Sequence, residues 1–264
     1  MADKIDIKER PIGVIDSGIG GLTVLRELVN VCPNENYIYI GDDINSPYGK
    51  RDKEDIKTLS LLLCKRPLLY DIKALVIACN TITAAAIDVI RDNLDVPVVG
   101  VIDAGVRECI AKTKNNKVGI LATNATVESK VFDNELKAIN KDIEVTSVGA
   151  PNMHLYAENS LDLVMKNPTP QIKQCVNDYV QPFIKAGCDT ILLACTHFPP
   201  FEYLIREVVG PDVNIISPSK QTALELKGIL DDNKIASKTA GGYKIYSTAH
   251  NDYKYDKFTE LIMS

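Results

Sequence analysis

Val76-Ile77-Ala78-Cys79-Asn80-Thr81 and Leu192-Leu193-Ala194-Cys195-Thr196-His197 decide how this chain is read. Each is an apolar run of strand type that stops at a cysteine and continues at once into short hydroxyl or amide side chains. The cysteines lie 195 − 79 = 116 residues apart, one in each half of the 264-residue chain. This spacing suggests duplicated architecture that delivers two equivalent thiols to one place. Two thiols on opposite sides of a small substrate can take a proton from one face and return one to the other.

Outward from these segments, strand and helix patterns alternate. Residues 11–15, 36–40, 74–78, 96–101, 117–121, 143–148, 190–194 and 213–216 read as strands. Residues 22–31, 53–69, 83–93, 104–112, 127–139, 172–186, 201–209 and 222–230 read as helices, and the tail from Tyr243 adds a strand and a last helix. Short apolar strands between amphipathic helices imply βαβ units. The expectation is an α/β protein of two similar lobes, each a mainly parallel sheet flanked by helices, with the active site in the cleft between them. The first lobe is expected over 1–100 and 211–264, the second over 101–210. Ligands of open parallel sheets bind beyond the carboxyl ends of the strands, and both Ala-Cys turns fall at such ends.

Composition narrows the class. With 45% hydrophobic and 25% charged residues, the chain is ordinary for a water-soluble globular protein. A net charge of −5 argues against a dedicated nucleic-acid binder. No apolar run reaches the roughly 18–20 residues of a membrane helix, and residues 1–10 are too polar for a secretory signal. A cytoplasmic location is expected, with no membrane and no nucleic-acid partner. The seven cysteines are Cys32, Cys64, Cys79, Cys109, Cys175, Cys188 and Cys195. No pair has the two-residue gap of a zinc or redox motif, so no metal and no disulfide framework are expected. Most should be small core hydrophobes; Cys79 and Cys195 differ by their neighbours.

Asp16-Ser17-Gly18-Ile19-Gly20-Gly21-Leu22 joins a strand to a helix. Its glycines allow a tight turn with free amides, which attract anions. Thr23 stands where a dinucleotide fingerprint needs its last glycine, so a carboxylate fits better than a nucleotide. Read blandly, Asp16 or Ser17 simply caps the helix. Pro47-Tyr48-Gly49 is by itself a structural turn, and at a strand's carboxyl end a plausible carboxylate clamp. Cys79 precedes a helix expected from Thr83, where free amides and the helix dipole favour a thiolate; the competing reading is a buried, capped cysteine. Thr123-Asn124-Ala125-Thr126 comes after a third strand. His197, one of three histidines with His154 and His250, could stabilise a Cys195 thiolate or relay a proton. Glu158 reads as a surface helix cap.

Taken in order, these segments resemble the glutamate racemase family, cofactor-independent enzymes that make D-glutamate for peptidoglycan. The carriers are Asp16 to Leu22, Tyr39-Ile40-Gly41-Asp42 with Pro47-Tyr48-Gly49, Ala78-Cys79-Asn80-Thr81, Pro97-Val98-Val99-Gly100-Val101 and Cys195-Thr196-His197. The resemblance implies Cys79 and Cys195 as the two acid–base residues, assisted by Asp16 and His197, with Glu158 as a further acid. It implies Ser17, Pro47, Tyr48, Gly49, Asn80, Thr81, Thr123, Thr126 and Thr196 as substrate-binding groups, no cofactor, an amino-acid substrate and a homodimer. The chain departs from the usual pattern at Asn45, Ser46, Ile82, Ala150, Ala194 and Phe198. Three alternatives stay open: a two-thiol racemase of aspartate or another small amino acid, a cysteine hydrolase using Cys195 and His197, and a non-catalytic amino-acid sensor on the same scaffold.

Overall fold

Strand-forming runs bounded by glycine, aspartate and asparagine produce nine strands among the described residues. The structure is a computed structural model that describes residues 6–250 and 252–263, so residues 1–5 of the polar amino-terminal stretch lie outside the described residues. In chain order the strands and α-helices are β1 (Ile12–Asp16), α1 (Leu22–Val31), β2 (Asn36–Gly41), α2 (Lys53–Leu68), β3 (Ala74–Ile77), α3 (Asn80–Asn93), β4 (Val98–Gly100) and α4 (Ile102–Lys112). Next come β5 (Lys117–Ala122), α5 (Asn124–Ser129), α6 (Val131–Ile139), β6 (Glu144–Gly149), α7 (Pro151–Lys166), α8 (Pro170–Ala186) and β7 (Thr190–Ala194). The chain ends with α9 (Glu202–Val209), β8 (Asn214–Ile216), α10 (Ser219–Asp232), β9 (Gly242–Ser247) and α11 (Asp252–Met263). No helix among the described residues is long and apolar enough to cross a membrane.

The chain divides into two units, Met1–Val101 with Ser219–Ser264, and Ile102–Pro218. The first unit has a five-stranded sheet in the order β4-β3-β1-β2-β9; the second has four strands in the order β6-β5-β7-β8. Every pairing is parallel. The chain returns to the first unit at Ser219 rather than at 211, because β8 pairs with β7 and stays in the second sheet.

The central strands β1, β3 and β7 are buried at every residue, as expected of parallel strands covered on both faces. In the first unit, α1 buries Leu22, Val24, Leu25 and Leu28, and packs against α10 and α11. In the second unit, Met153 and Ala157 of α7, Val176, Val180 and Phe183 of α8, and Leu193 and Phe201 share one apolar cluster. Gly119 is required there, since a Cβ would fall 2.6 Å from the Phe183 ring.

Two elements differ from the sequence reading. The helix expected over 127–139 is two helices, broken where Lys130 takes a left-handed φ of 53°. The sequence reading delimits no helix between 148 and 172, although Glu158 reads as a helix cap; α7 fills that stretch and carries Glu158 in its interior.

The loop after α4 is tied to β7 by Asp189. One carboxylate oxygen accepts from the hydroxyls of Thr113 (2.7 Å) and Thr190 (2.9 Å), the other from the backbone N–H groups of Lys114 (2.7 Å) and Asn115 (2.9 Å). Partial burial works against the charge, but these four donors outweigh it and hold the carboxyl below its usual value. A depressed carboxyl contributes stability above its unfolded pKa and loses that contribution as pH falls through the folded one. Asp189→Asn should therefore cost about 1 kcal/mol at neutral pH, exposure discounting the charge. The deficit should shrink toward zero in acid, as urea unfolding at the two pH values would read.

Candidate active site

The carboxyl end of the first sheet gathers Asp16, Asp42, Cys79 and Thr248. Strand β1 ends in register with β2, Asp16 opposite Gly41, and the Asp42 N–H donates to the Asp16 carbonyl at 3.0 Å. Strand β3 runs into Ala78, whose N–H donates to the Ile15 carbonyl at 2.9 Å. Helix α3 then starts at Asn80, three residues earlier than its apolar pattern suggested, so Cys79 is itself the residue at its N-cap. The thiol sits where the first free amides of the helix and its dipole favour negative charge.

Behind Cys79 runs a polar line. The thiol donates to Ser17 Oγ at 3.5 Å, and the Ser17 hydroxyl lies 3.5 Å from Asp16 Oδ1. The Gly18 N–H donates to the same Asp16 oxygen at 2.9 Å. Asp16 is fully buried and Ser17 nearly so. Asn80 and Thr81, in the first turn of α3, are buried too. Both polar atoms of the Asn80 side chain are buried with no hydrogen-bond partner among the described residues.

The 47–49 loop is fixed by Asp42. The Tyr48 hydroxyl donates to Asp42 Oδ2 at 2.6 Å, Thr248 Oγ1 donates to Oδ1 at 2.9 Å, and Asn45 Nδ2 donates to Oδ2 at 2.9 Å. Burial first, and then the Asp42 hydrogen bond, push the Tyr48 hydroxyl far above its usual pKa, so it stays a neutral donor. Tyr48 is buried, while Pro47 and Gly49 are half-buried. Neither Asp42, which closes the Tyr39–Asp42 segment of the resemblance, nor Thr248 is assigned a role by the sequence.

At the carboxyl end of the second sheet, β7 runs from Thr190 to Ala194 and delivers Cys195, 5% exposed. The Phe198 N–H donates to the Cys195 carbonyl at 3.0 Å, closing a turn that brings His197 back over the thiol. His197 Nδ1 lies 3.9 Å from Cys195 Sγ, and Nε2 lies 2.7 Å from Glu158 Oε1. Burial opposes a charge on His197. Its hydrogen bonds to Cys195 and Glu158, with the charge of Glu158, overcome that opposition and raise the imidazole to about 10. Glu158 is not a surface cap: it lies inside α7 with its side chain 12% exposed. Thr196 is buried beside Cys195. Thr123 caps α5 by accepting from the Thr126 N–H at 3.3 Å and donates its hydroxyl to Thr126 Oγ1 at 3.0 Å.

Each thiol thus heads a line of two further side chains ending in a carboxylate: Cys79–Ser17–Asp16 in the first unit, Cys195–His197–Glu158 in the second. All seven cysteines are free. Burial pushes Cys64 and Cys109 up to about 12 and Cys175 to about 11, and burial followed by the Glu35 charge takes Cys32 to about 11. These are protonated packing residues at neutral pH.

Five of the six positions that depart from the resembled pattern have packing explanations, and nothing in the structure explains Ser46. Ile82, Ala150, Ala194 and Phe198 are fully buried, and Asn45 buttresses Asp42.

Residues 12–225 match the Asp/Glu/Hydantoin racemase family profile. A glutamate racemase of Oceanobacillus iheyensis is 38% identical over 232 residues, 88% of this chain and 83% of that protein. One from Listeria monocytogenes is 38% identical over 231 residues, 88% and 85% of the two chains. Among solved structures, a glutamate racemase isoform from Bacillus anthracis superposes with a TM-score of 0.90 at 34% identity, covering 96% of this chain and 94% of that one. The Francisella tularensis glutamate racemase in complex with D-glutamate gives 0.88 at 32% identity, covering 97% and 94%.

Proposed function

The chain belongs to the Asp/Glu/hydantoin racemase family, and from that premise we propose that it interconverts L- and D-glutamate by two-thiol acid–base catalysis without a cofactor. The observation that carries the reading is Asn80, buried beside Cys79 with donor and acceptor both unused. An orphaned buried amide costs about 1–3 kcal/mol. An amino acid supplies the missing partners, a carboxylate to accept and an ammonium to donate. The relatives named glutamate racemase, and the relative's complex with D-glutamate, support glutamate over smaller substrates.

In this reading the thiolate of one cysteine removes the Cα proton while the thiol of the other returns one; the reverse reaction exchanges the roles. Positioned acid–base groups of this kind contribute about 10²–10⁴-fold. At Cys195 the His197 imidazolium stabilises the thiolate through Nδ1–H, and Glu158 holds the ring through Nε2–H. At Cys79 the Ser17 hydroxyl accepts from the thiol and can turn to donate to the thiolate, with Asp16 behind it. Ser17, Asn80, Thr81, Thr123, Thr126, Thr196 and the 47–49 loop bind the charged ends of the substrate. D-Glutamate made this way would serve cytoplasmic peptidoglycan precursor synthesis. A homodimer belongs to the same reading, and a purified monomer turning over at full rate would remove it.

The test is a panel of L- and D-glutamate, aspartate and small neutral amino acids, followed by circular dichroism with purified protein and no added cofactor. Racemisation of glutamate in both directions is expected. Preferred turnover of aspartate, or none of any amino acid, would overturn the reading. A second reading has one specific support: Cys195–His197–Glu158 is also the order of a nucleophilic triad. A hydrolase of that kind forms a trappable acyl-enzyme and does not need Cys79.

Asn80→Ala separates binding from folding. It should raise KM for glutamate about 10-fold or more, the worth of one to two hydrogen bonds to a charged group. The melting temperature should be unchanged or slightly higher, because an orphaned buried amide is removed. A lowered melting temperature with unchanged KM would give Asn80 a packing role instead.

A further inference from the structure

The second unit holds an arrangement that acid–base chemistry does not require. His154 and Glu158 stand four residues apart on α7, ahead of the break at Ser160. The His154 ring lies against that of His197, with centroids 4.0 Å apart and planes inclined by 41°. One donor atom from each of His154, Glu158 and His197 falls within 4.8 Å of the other two. His197 is 2% exposed and the Glu158 side chain 12%, so little water competes for these donors.

Two imidazoles and a carboxylate are the donor set of open three-ligand zinc centres. Residues at i and i+4 on one helix face are a common way to present two ligands to one ion. With bonds of about 2.0–2.2 Å, tetrahedral donors stand about 3.3–3.6 Å apart. The 2.7 Å His197–Glu158 contact and the 4.8 Å outer limit bracket that spacing. Small side-chain rotations would open the first and close the second.

We propose that His154, Glu158 and His197 form a binding site for a divalent transition-metal ion of the Zn²⁺ or Co²⁺ type, with one position left for water. The ion replaces the proton between His197 Nε2 and Glu158 and releases it to solvent. The imidazole then keeps a proton only on Nδ1, toward Cys195. An occupied site holds His197 in one tautomer, with Nδ1–H toward Cys195, and ties His154 and Glu158 of α7 to the turn after β7 through one ion. No cysteine takes part, which is why cysteine spacing gave no sign of a metal.

Cobalt titration of the full chain tests this without relying on turnover. One Co²⁺ per chain is expected, with visible d–d absorption and no thiolate-to-metal charge-transfer band. His154→Ala and the bulk-preserving His154→Gln should each weaken binding at least about 10-fold, with far-UV spectra like the wild type. Absence of stoichiometric cobalt in the wild type, a thiolate band, or unchanged affinity in either folded His154 variant would each overturn the proposal.

Discussion

Cys79→Ser and Cys195→Ser should each lower glutamate racemisation about 10²–10⁴-fold, the contribution of a positioned acid–base group. Each cysteine is 5% exposed and serine is the smaller, more polar side chain, so far-UV circular dichroism and a melting curve accompany each variant to show that the loss is one of chemistry. What changes is acidity: a serine alkoxide is far less accessible at neutral pH than a thiolate. Exchange of the Cα hydrogen with deuterated solvent gives the sharper readout. Each variant keeps one thiol, so each should retain exchange on one enantiomer and lose it on the other, with opposite preferences in the two proteins. Cys64→Ser is the control. That thiol is pushed up to about 12 by burial, and its loss should leave turnover in place. Full activity in either catalytic variant would remove the two-thiol mechanism. Loss only in Cys195→Ser, with a trappable acyl-enzyme, would favour the hydrolase.

The lines behind the two thiols have the same length and different chemistry. Ser17 is a neutral hydroxyl that can turn its proton either way. His197, raised to about 10, is a resident cation at neutral pH. The Cys195 thiolate is therefore stabilised by charge, the Cys79 thiolate by the α3 amides and one hydroxyl. In the proposed mechanism the two thiols are therefore differently poised, so kcat and KM can differ between the two directions while kcat/KM stays equal, as an equilibrium constant of unity between enantiomers requires.

Much of this was legible because parallel α/β proteins write their sites at strand ends. The apolar runs ending at Asp16, Cys79 and Cys195 could be seen as strands, and residues just past a strand end in such a sheet face ligands. Glu158 reads as a surface cap because the sequence pattern does not mark the helix that carries it. Met153, Ala157, Leu161 and Val164 carry helical spacing, with Pro151 at the start, but polar Asn152, His154, Glu158 and Asn159 sit among them and blur the pattern. Two of those polar residues point at His197, so the feature that hid the helix is the one that matters chemically. The Asp42–Tyr48–Thr248 link was not legible for a different reason. It joins positions 206 residues apart, and no local pattern reports which strand end lies beside another. The first boundary between the units depends on β4 and α4, neighbours in sequence. The second depends on which sheet β8 joins, and pairing partners are not encoded in a three-residue strand.

Lys73→Met should destabilise the first unit by about 3–5 kcal/mol, the usual cost of stranding one member of a buried ion pair. The Lys73 ammonium is wholly buried and lies 2.5 Å from Glu35 Oε2, itself 3% exposed. It also donates to the carbonyls of Lys8 at 2.5 Å and Ile235 at 2.9 Å, while Glu35 Oε1 accepts from the Ser237 N–H at 2.8 Å. One cation thereby joins the amino-terminal turn, the start of β2 and the segment that leads from α10 to β9. Methionine fills the space of the stem but leaves a buried carboxylate with the Ser237 N–H as its donor. Against a typical total of about 5–15 kcal/mol, that loss is enough to unfold a marginal protein on warming. The double variant Lys73→Met with Glu35→Leu removes both charges and should recover a large part of the deficit, because an unpaired buried charge costs more than an absent pair. Urea unfolding of the full chain measures both. A loss below about 1 kcal/mol in Lys73→Met, or no recovery in the double variant, would show that the clamp works by shape and not by charge.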